Sequence, residues 1–296
     1  MVAENLSFDF QTAQRIIFGS GSANQLGQLV AGMGKRAFWI TIHRRAFHEG
    51  LEKGLISAGI QYQTTVIHGE PKLDQILELV NRVKKYQPDL VIATGGGSVM
   101  DCAKAVAALA VNPGDPLDYL EVVGRGKALQ VNPLPVVAVP TTAGTGSEVT
   151  RNAVISLPQH GIKVSLRSPK MLPALALVDP ILTMGLSPAV TATTGMDALT
   201  QVIEPYVSNR ANAFTDLFCE TGIRKIARSL RKAYHHGNDL PAREEMAFGS
   251  LMGGLALANA GLGAVHGFAA PLGGLFEAPH GAICARLLPV VCRVNI

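Results

Sequence analysis

The chain has 296 residues, 48% hydrophobic and 16% charged, enough to bury a large core and to divide into two domains. Its 26 basic and 22 acidic side chains leave a net charge of +4, scattered apart from pairs such as Arg44-Arg45 and Lys84-Lys85, so nucleic acid is excluded as a partner. The four cysteines show no CxxC spacing, and MVAENLSFDF carries an acid where a signal peptide needs bases and an apolar run; reduced thiols and a cytoplasmic location are expected.

The apolar run Ile16-Ile17-Phe18 leads into Gly19-Ser20-Gly21-Ser22, where Ser22 is expected to cap a helix over Asn24 to Val30. Ala37 to Ile42 reads as a buried strand, Phe47 to Ala58 as a helix, and Gln61 to Ile67, rich in β-branched residues, as a strand. Leu73, Ile76, Leu77, Val80 and Val83 mark one face of a helix, and Asp89 to Ala93 forms the next buried strand. This βαβ order predicts a parallel sheet with helices on both faces.

The strand ending at Ala93 runs into Thr94-Gly95-Gly96-Gly97-Ser98 and then an alanine-rich helix from Val99 to Ala110. Glycines there let the backbone approach a bulky anion, and the first helical turn offers unpaired N–H groups to a pyrophosphate. A further strand, Val136 to Val139, leads into Pro140-Thr141-Thr142-Ala143-Gly144-Thr145-Gly146-Ser147-Glu148. Open α/β sheets bind ligands at such carboxyl ends. After a strand over Ala174 to Val178 and Asp179-Pro180, the pattern turns helical: Asp197 to Val207, Ala213 to Tyr234, Ala242 to Ala260 and a segment around His266. The expected division is 1-184, an α/β dinucleotide-binding domain, and 185-296, a helical metal-binding domain. Leu251 to Phe276 holds no charged residue, yet its glycines, Asn259, His266 and Pro271 predict a buried pair of close-packed helices rather than a membrane span.

Five segments in order, GGGSVMDCAKA at 95-105, PTTAGTGSEVT at 140-150, LVDP at 177-180, TGMDALTQVIE at 194-204 and HGFAAPLGGLFEAPHG at 266-281, resemble the iron-containing alcohol dehydrogenases, relatives of glycerol dehydrogenase and dehydroquinate synthase. The resemblance runs from about residue 10 to the end. It implies a Rossmann-like N-terminal domain, an all-α C-terminal domain, and a metal and nicotinamide meeting between them. It also implies dimers. Asp197, His266 and His280 match the family's metal ligands and are the expected catalytic residues, an oxygen and two imidazoles suited to Fe(II) or Zn(II).

Two positions depart from the family pattern. Gln201, one helical turn after Asp197, stands where most alcohol-oxidising members have a histidine ligand, and an amide is a weaker metal donor. Ala270 stands where many relatives place a histidine close to nicotinamide and substrate. The family pattern puts Gly96, Gly97 and Ser98 at the coenzyme pyrophosphate, Asp101 near the nicotinamide, Thr141, Thr142 and Thr145 around ribose and ring, and Lys163 at the ribose. Ile42-His43-Arg44-Arg45 lacks the carboxylate that accepts from the adenine ribose in NAD-preferring members, so Arg44 is expected to favour NADP over NAD.

The expected function is hydride transfer between NADP or NAD and a small alcohol or aldehyde, with a divalent metal polarising the substrate oxygen. Two alternatives stay open: a metal-independent reductase resembling maleylacetate reductase, and an inactive family member lacking the helices that relatives carry beyond the position of Ile296. A lyase or synthase of the dehydroquinate synthase branch is disfavoured by the form of PTTAGTGSE.

Overall fold

A computed structural model of the chain describes residues 7–43, 46–276 and 278–295. The chain divides into two compact units: Ala13–Thr141 with Arg151–Leu182, and Thr142–Thr150 with Thr183–Ile296 and the described residues of Met1–Thr12.

The first unit is the parallel α/β structure that its pattern predicts. Strands β1 (Ile16–Phe18), β2 (Arg36–Thr41), β3 (Gln61–Val66), β4 (Leu90–Gly95), β5 (Val136–Pro140) and β8 (Leu175–Val178) form one sheet in the order β1-β8-β5-β4-β2-β3, with every pairing parallel. Alternate side chains of each strand serve opposite cores. Phe38, Ile40, Val91, Ala93, Val136 and Ala138 meet α3 (Leu73–Tyr86) and α4 (Gly97–Leu109). Ala37, Trp39, Leu90, Ile92, Val137 and Val139 meet α1 (Leu26–Ala31) and α2 (Phe47–Ser57). Phe38 and Trp39, adjacent in sequence and essentially inaccessible, each stabilise one face by about 1.5–3 kcal/mol.

Two local features differ from the sequence expectation. Ser22 does not cap the first helical turn; its hydroxyl reaches the Val178 carbonyl. Asp179 does that work from across the sheet, its two carboxylate oxygens accepting from the N–H groups of Gly21 and Ala23 at 3.0 Å each. The second is an antiparallel hairpin, β6 (Asn152–Leu157) and β7 (Ile162–Arg167), which the strand reading passes over. Its inward residues Ala153, Ile155, Leu157, Val164 and Leu166 join the α3/α4 core, and its turn closes on Gly161 at φ 60°.

The second unit holds α5 (Pro188–Tyr206), α6 (Ala213–His235), α7 (Leu240–Ala260), α8 (Ala264–Phe276) and α9 (His280–Asn295). The helix starts are written locally. Ser187 precedes Pro188 and accepts from Val190 N–H, Asn212 and Thr215 form a reciprocal capping box, and Asp239 accepts from Ala242 N–H. On α6 the buried positions Cys219, Gly222, Ile226, Ser229 and Ala233 recur at helical spacing. Residues 142–150 pack here too, through Gly146 against Gly254 of α7. Asn259 clasps the backbone of Gln11 by accepting from its N–H and donating to its carbonyl.

Among the described residues no single helix is long and apolar enough to cross a membrane, and α7 and α8 meet at a 99° bend. The apolar stretch is buried along α7. On α8 the expected burial is confined to Val265, Ala269 and Gly273, one narrow stripe, and Phe268, Leu275 and Phe276 are exposed.

Candidate functional site

Three helices of the second unit converge on one cluster. Asp197, Gln201 and Glu204 lie at i, i+4 and i+7 on α5, so all three share a face. His266 comes from the first turn of α8 and His280 opens α9. Gly281 lets α9 approach: a Cβ there would stand 2.1 Å from the Thr193 carbonyl oxygen of α5, so a larger residue would drive His280 away.

The structure brings together the four metal-site residues expected from the sequence. His266 Nε2 is 3.2 Å and His280 Nε2 3.7 Å from Asp197 Oδ1. Gln201 Nε2 donates to the same oxygen at 3.0 Å. The Gln201 carbonyl Oε1 is buried with no hydrogen-bond partner, an acceptor that a cation would satisfy. Ala270, on the exposed side of α8, carries nothing that can move a proton.

Two residues join the cluster that the sequence reading did not single out. Glu204 Oε2 lies 2.5 Å from His266 Nδ1 while Oε1 accepts from Val265 N–H at 2.6 Å. Cys284, one turn after His280 on α9, places Sγ 3.7 Å from His280 Nε2 and 4.0 Å from His266 Nε2. The helical offset of four from His280 and of seven from Asp197 were the available signals. One ligand atom from each of Asp197, His266, His280 and Cys284 lies within 4.8 Å of the other three.

The electrostatics are those of a coupled polar cluster in a dry setting. Burial opposes the charged form of Asp197, but the His266 hydrogen bond and the nearby His280 and His266 charges outweigh it and hold the carboxyl below its ordinary value. Glu204 is lowered in the same way, against burial, by His266. Burial likewise works against imidazolium at His266, yet its bonds to Asp197, Cys284 and Glu204 raise it to about 11. His280 is raised, against burial, by Cys284 and Asp197. The Cys284 thiol, which burial alone would push up, is pulled down by both histidines, whereas burial pushes the Cys102 and Cys219 thiols up to about 12.

Of the expected coenzyme residues, Gly96, Gly97, Ser98, Thr141, Thr142 and Thr145 follow the carboxyl ends of β4 and β5, Asp101 lies within α4 and Lys163 on the hairpin. Gly96 precedes α4 in extended conformation, Gly97 and Ser98 form its first turn, and no side chain caps it, leaving those N–H groups for an anion. Thr141 is buried, its N–H bonded to the Gly95 carbonyl. Thr142 and Thr145 lie in the second unit, with Thr145 Oγ1 accepting from Ser147 N–H at 3.3 Å. Asp101 accepts from Val154 N–H at 2.9 Å and faces buried Lys104 at 3.4 Å, tying α4 to the hairpin. Lys163 pairs with Glu70 at 2.7 Å. Arg44 falls outside the described residues.

The chain matches the family model of iron-containing alcohol dehydrogenase over residues 13–180 and that of the family's C-terminal part over 191–296. It is 40% identical over 299 aligned residues to 1,3-propanediol dehydrogenase of Klebsiella pneumoniae, covering 98% of this chain and 76% of that protein. A crystal structure of 1,3-propanediol oxidoreductase superposes with a TM-score of 0.92 at 38% identity, covering 98% of this chain and 76% of the other. Sulfoacetaldehyde reductase from Bifidobacterium kashiwanohense, solved with NAD+, superposes at 0.88 and 31% identity, over 98% and 77% of the two chains. With both halves of the chain matched in order, it belongs to the iron-containing alcohol dehydrogenase family.

Proposed function

We propose that this chain interconverts a small alcohol and its aldehyde or ketone by hydride exchange with NAD(P), using a divalent metal held by Asp197, His266 and His280. The observation that carries this reading is the convergence of those three side chains from α5, α8 and α9 on one buried cluster. The donors fit a divalent metal, since a carboxylate and two imidazoles suit iron and zinc alike, and the orphaned Gln201 Oε1 faces no protein donor.

A metal bound there supplies Lewis acidity toward a substrate oxygen. Glu204 fixes the His266 ring by engaging Nδ1, leaving Nε2 for the cluster. Gln201, held to Asp197, keeps the carboxylate oriented. Gly96, Gly97 and Ser98 receive the coenzyme pyrophosphate on backbone N–H groups, Thr141, Thr142 and Thr145 surround the ribose and ring, Asp101 stands near the nicotinamide, and Lys163 exchanges Glu70 for a ribose hydroxyl. Arg44 selects NADP. The 1,3-propanediol and sulfoacetaldehyde relatives make short oxygenated carbonyl compounds the substrates to assay first.

His266→Ala and His280→Ala should each abolish turnover while coenzyme binding, read by nicotinamide fluorescence, stays intact. Full activity in both variants would sink the metal mechanism. Turnover undiminished by a chelator would replace it with a metal-independent reductase.

A further inference from the structure

We propose that Cys284 is a protein ligand of this metal, giving an Asp197–His266–His280–Cys284 set whose sulfur donor selects zinc over ferrous iron. The inference rests on the metal-site reading above and extends it.

Around a zinc ion held by four protein ligands, Zn–N distances of about 2.0–2.1 Å and Zn–S of about 2.3 Å put neighbouring ligand atoms roughly 3.5 Å apart, and a substrate oxygen would enter as a fifth ligand, an expansion that catalytic zinc makes. The cluster already has nearly that shape. The spacings are 3.2 Å for His266 to Asp197, 3.7 Å for His280 to Asp197, 3.7 Å for Cys284 to His280 and 4.0 Å for Cys284 to His266. The four atoms are drawn from three helices, α9 supplies two of them one turn apart, and every pair lies within 4.8 Å, so closing the set onto an ion requires no pair to approach by more than about an ångström.

Gln201 is the competing fourth donor. Its amide N–H donates to Asp197 Oδ1 at 3.0 Å, which aligns the carboxylate, and its Oε1 is a neutral amide oxygen, a weaker donor to zinc than a thiolate. Cys284 is fully buried, and a cysteine serving only as an apolar filler has no need of two imidazole nitrogens at its sulfur. Thiolate is a soft donor, and zinc exceeds ferrous iron in affinity for such sets.

The test is cobalt substitution of the whole chain, prepared metal-free and reloaded with Co(II) under reducing, anaerobic conditions. One bound cobalt with a near-ultraviolet sulfur-to-cobalt charge-transfer band, kept in Cys292→Ala and lost in Cys284→Ala, supports the assignment. One bound cobalt without that band in the unsubstituted chain overturns the role of Cys284 and leaves the metal site standing. No bound cobalt overturns both. X-ray absorption of the zinc-loaded unsubstituted chain decides the question even if Cys284→Ala does not fold: one sulfur neighbour at about 2.3 Å supports it, and nitrogen and oxygen neighbours alone overturn it.

Discussion

Glu204 and His266 form the tightest contact of the cluster, with Oε2 2.5 Å from Nδ1 and the second carboxylate oxygen anchored on the N–H of Val265, the residue before His266. One side chain therefore fixes both the ring and the backbone that carries it. Glu204→Gln keeps the shape and removes the charge, and outer partners of metal-binding histidines contribute about 10–100-fold to metal affinity or activity. Zinc affinity measured by chelator competition should fall within that range, while far-ultraviolet circular dichroism stays unchanged. An unaltered affinity would reduce Glu204 to a packing residue.

Metal uptake should depend on pH in a defined direction. Against burial, bonds to Asp197, Cys284 and Glu204 raise His266 from 6.5 to about 11, so the stability its protonated form contributes is complete below its unfolded value and fades as pH climbs through about 11. An arriving metal displaces that proton. Apparent zinc affinity should therefore increase with pH across the neutral range, by about tenfold per unit for each proton displaced. Calorimetric titrations in buffers of different ionisation enthalpy check both the slope and the proton count; a flat profile would mean His266 is already neutral.

The 142–150 loop depends on glycine where it touches α7. A Cβ on Gly254 would lie 2.5 Å from the Gly146 carbonyl oxygen and 2.7 Å from Val149 Cγ2. Gly254→Ala should destabilise the chain by about 1–3 kcal/mol, seen as an earlier denaturant midpoint. Gly50→Ala, on the exposed side of α2 with open space around the added methyl, should instead be neutral or stabilising by about 0.5–1 kcal/mol.

The proposed NADP preference rests on Arg44. Arg44→Ala should lower kcat/KM for NADP by about tenfold or more, the value of one charge-assisted hydrogen bond, with little change for NAD. Steady-state kinetics with both coenzymes decide it, and an equal loss for the two would remove the discrimination from this residue.

The order of strands and helices in the first unit could be read directly because each element carries its own signal: fully apolar runs for strands buried on both faces, such as β2 and β4, and a 3.6-residue stripe for α3. The hairpin had a signal too, alternation through Ala153, Ile155 and Leu157 and a glycine at 161, but Pro158 and polar neighbours diluted it. Asp197, Gln201, His266 and His280 could be named as candidates through their resemblance to the family's motifs, and the fold places them in one cluster.

Cys284 and Glu204 could not be named so, although both sit within the same helices, because a helical offset says which residues share a face and not which way the face turns. Only the packing of α5, α8 and α9 aims those faces at one point. Asp179 makes the same case: its sequence neighbours mark only the end of the α/β pattern, and the parallel pairing of β8 with β1 sets its carboxylate against Gly21 and Ala23. Local chemistry and periodicity determined which elements exist and which donors the chain owns. Tertiary structure decided which donors meet, since contacts between residues tens of positions apart depend on packing geometry that no local pattern records.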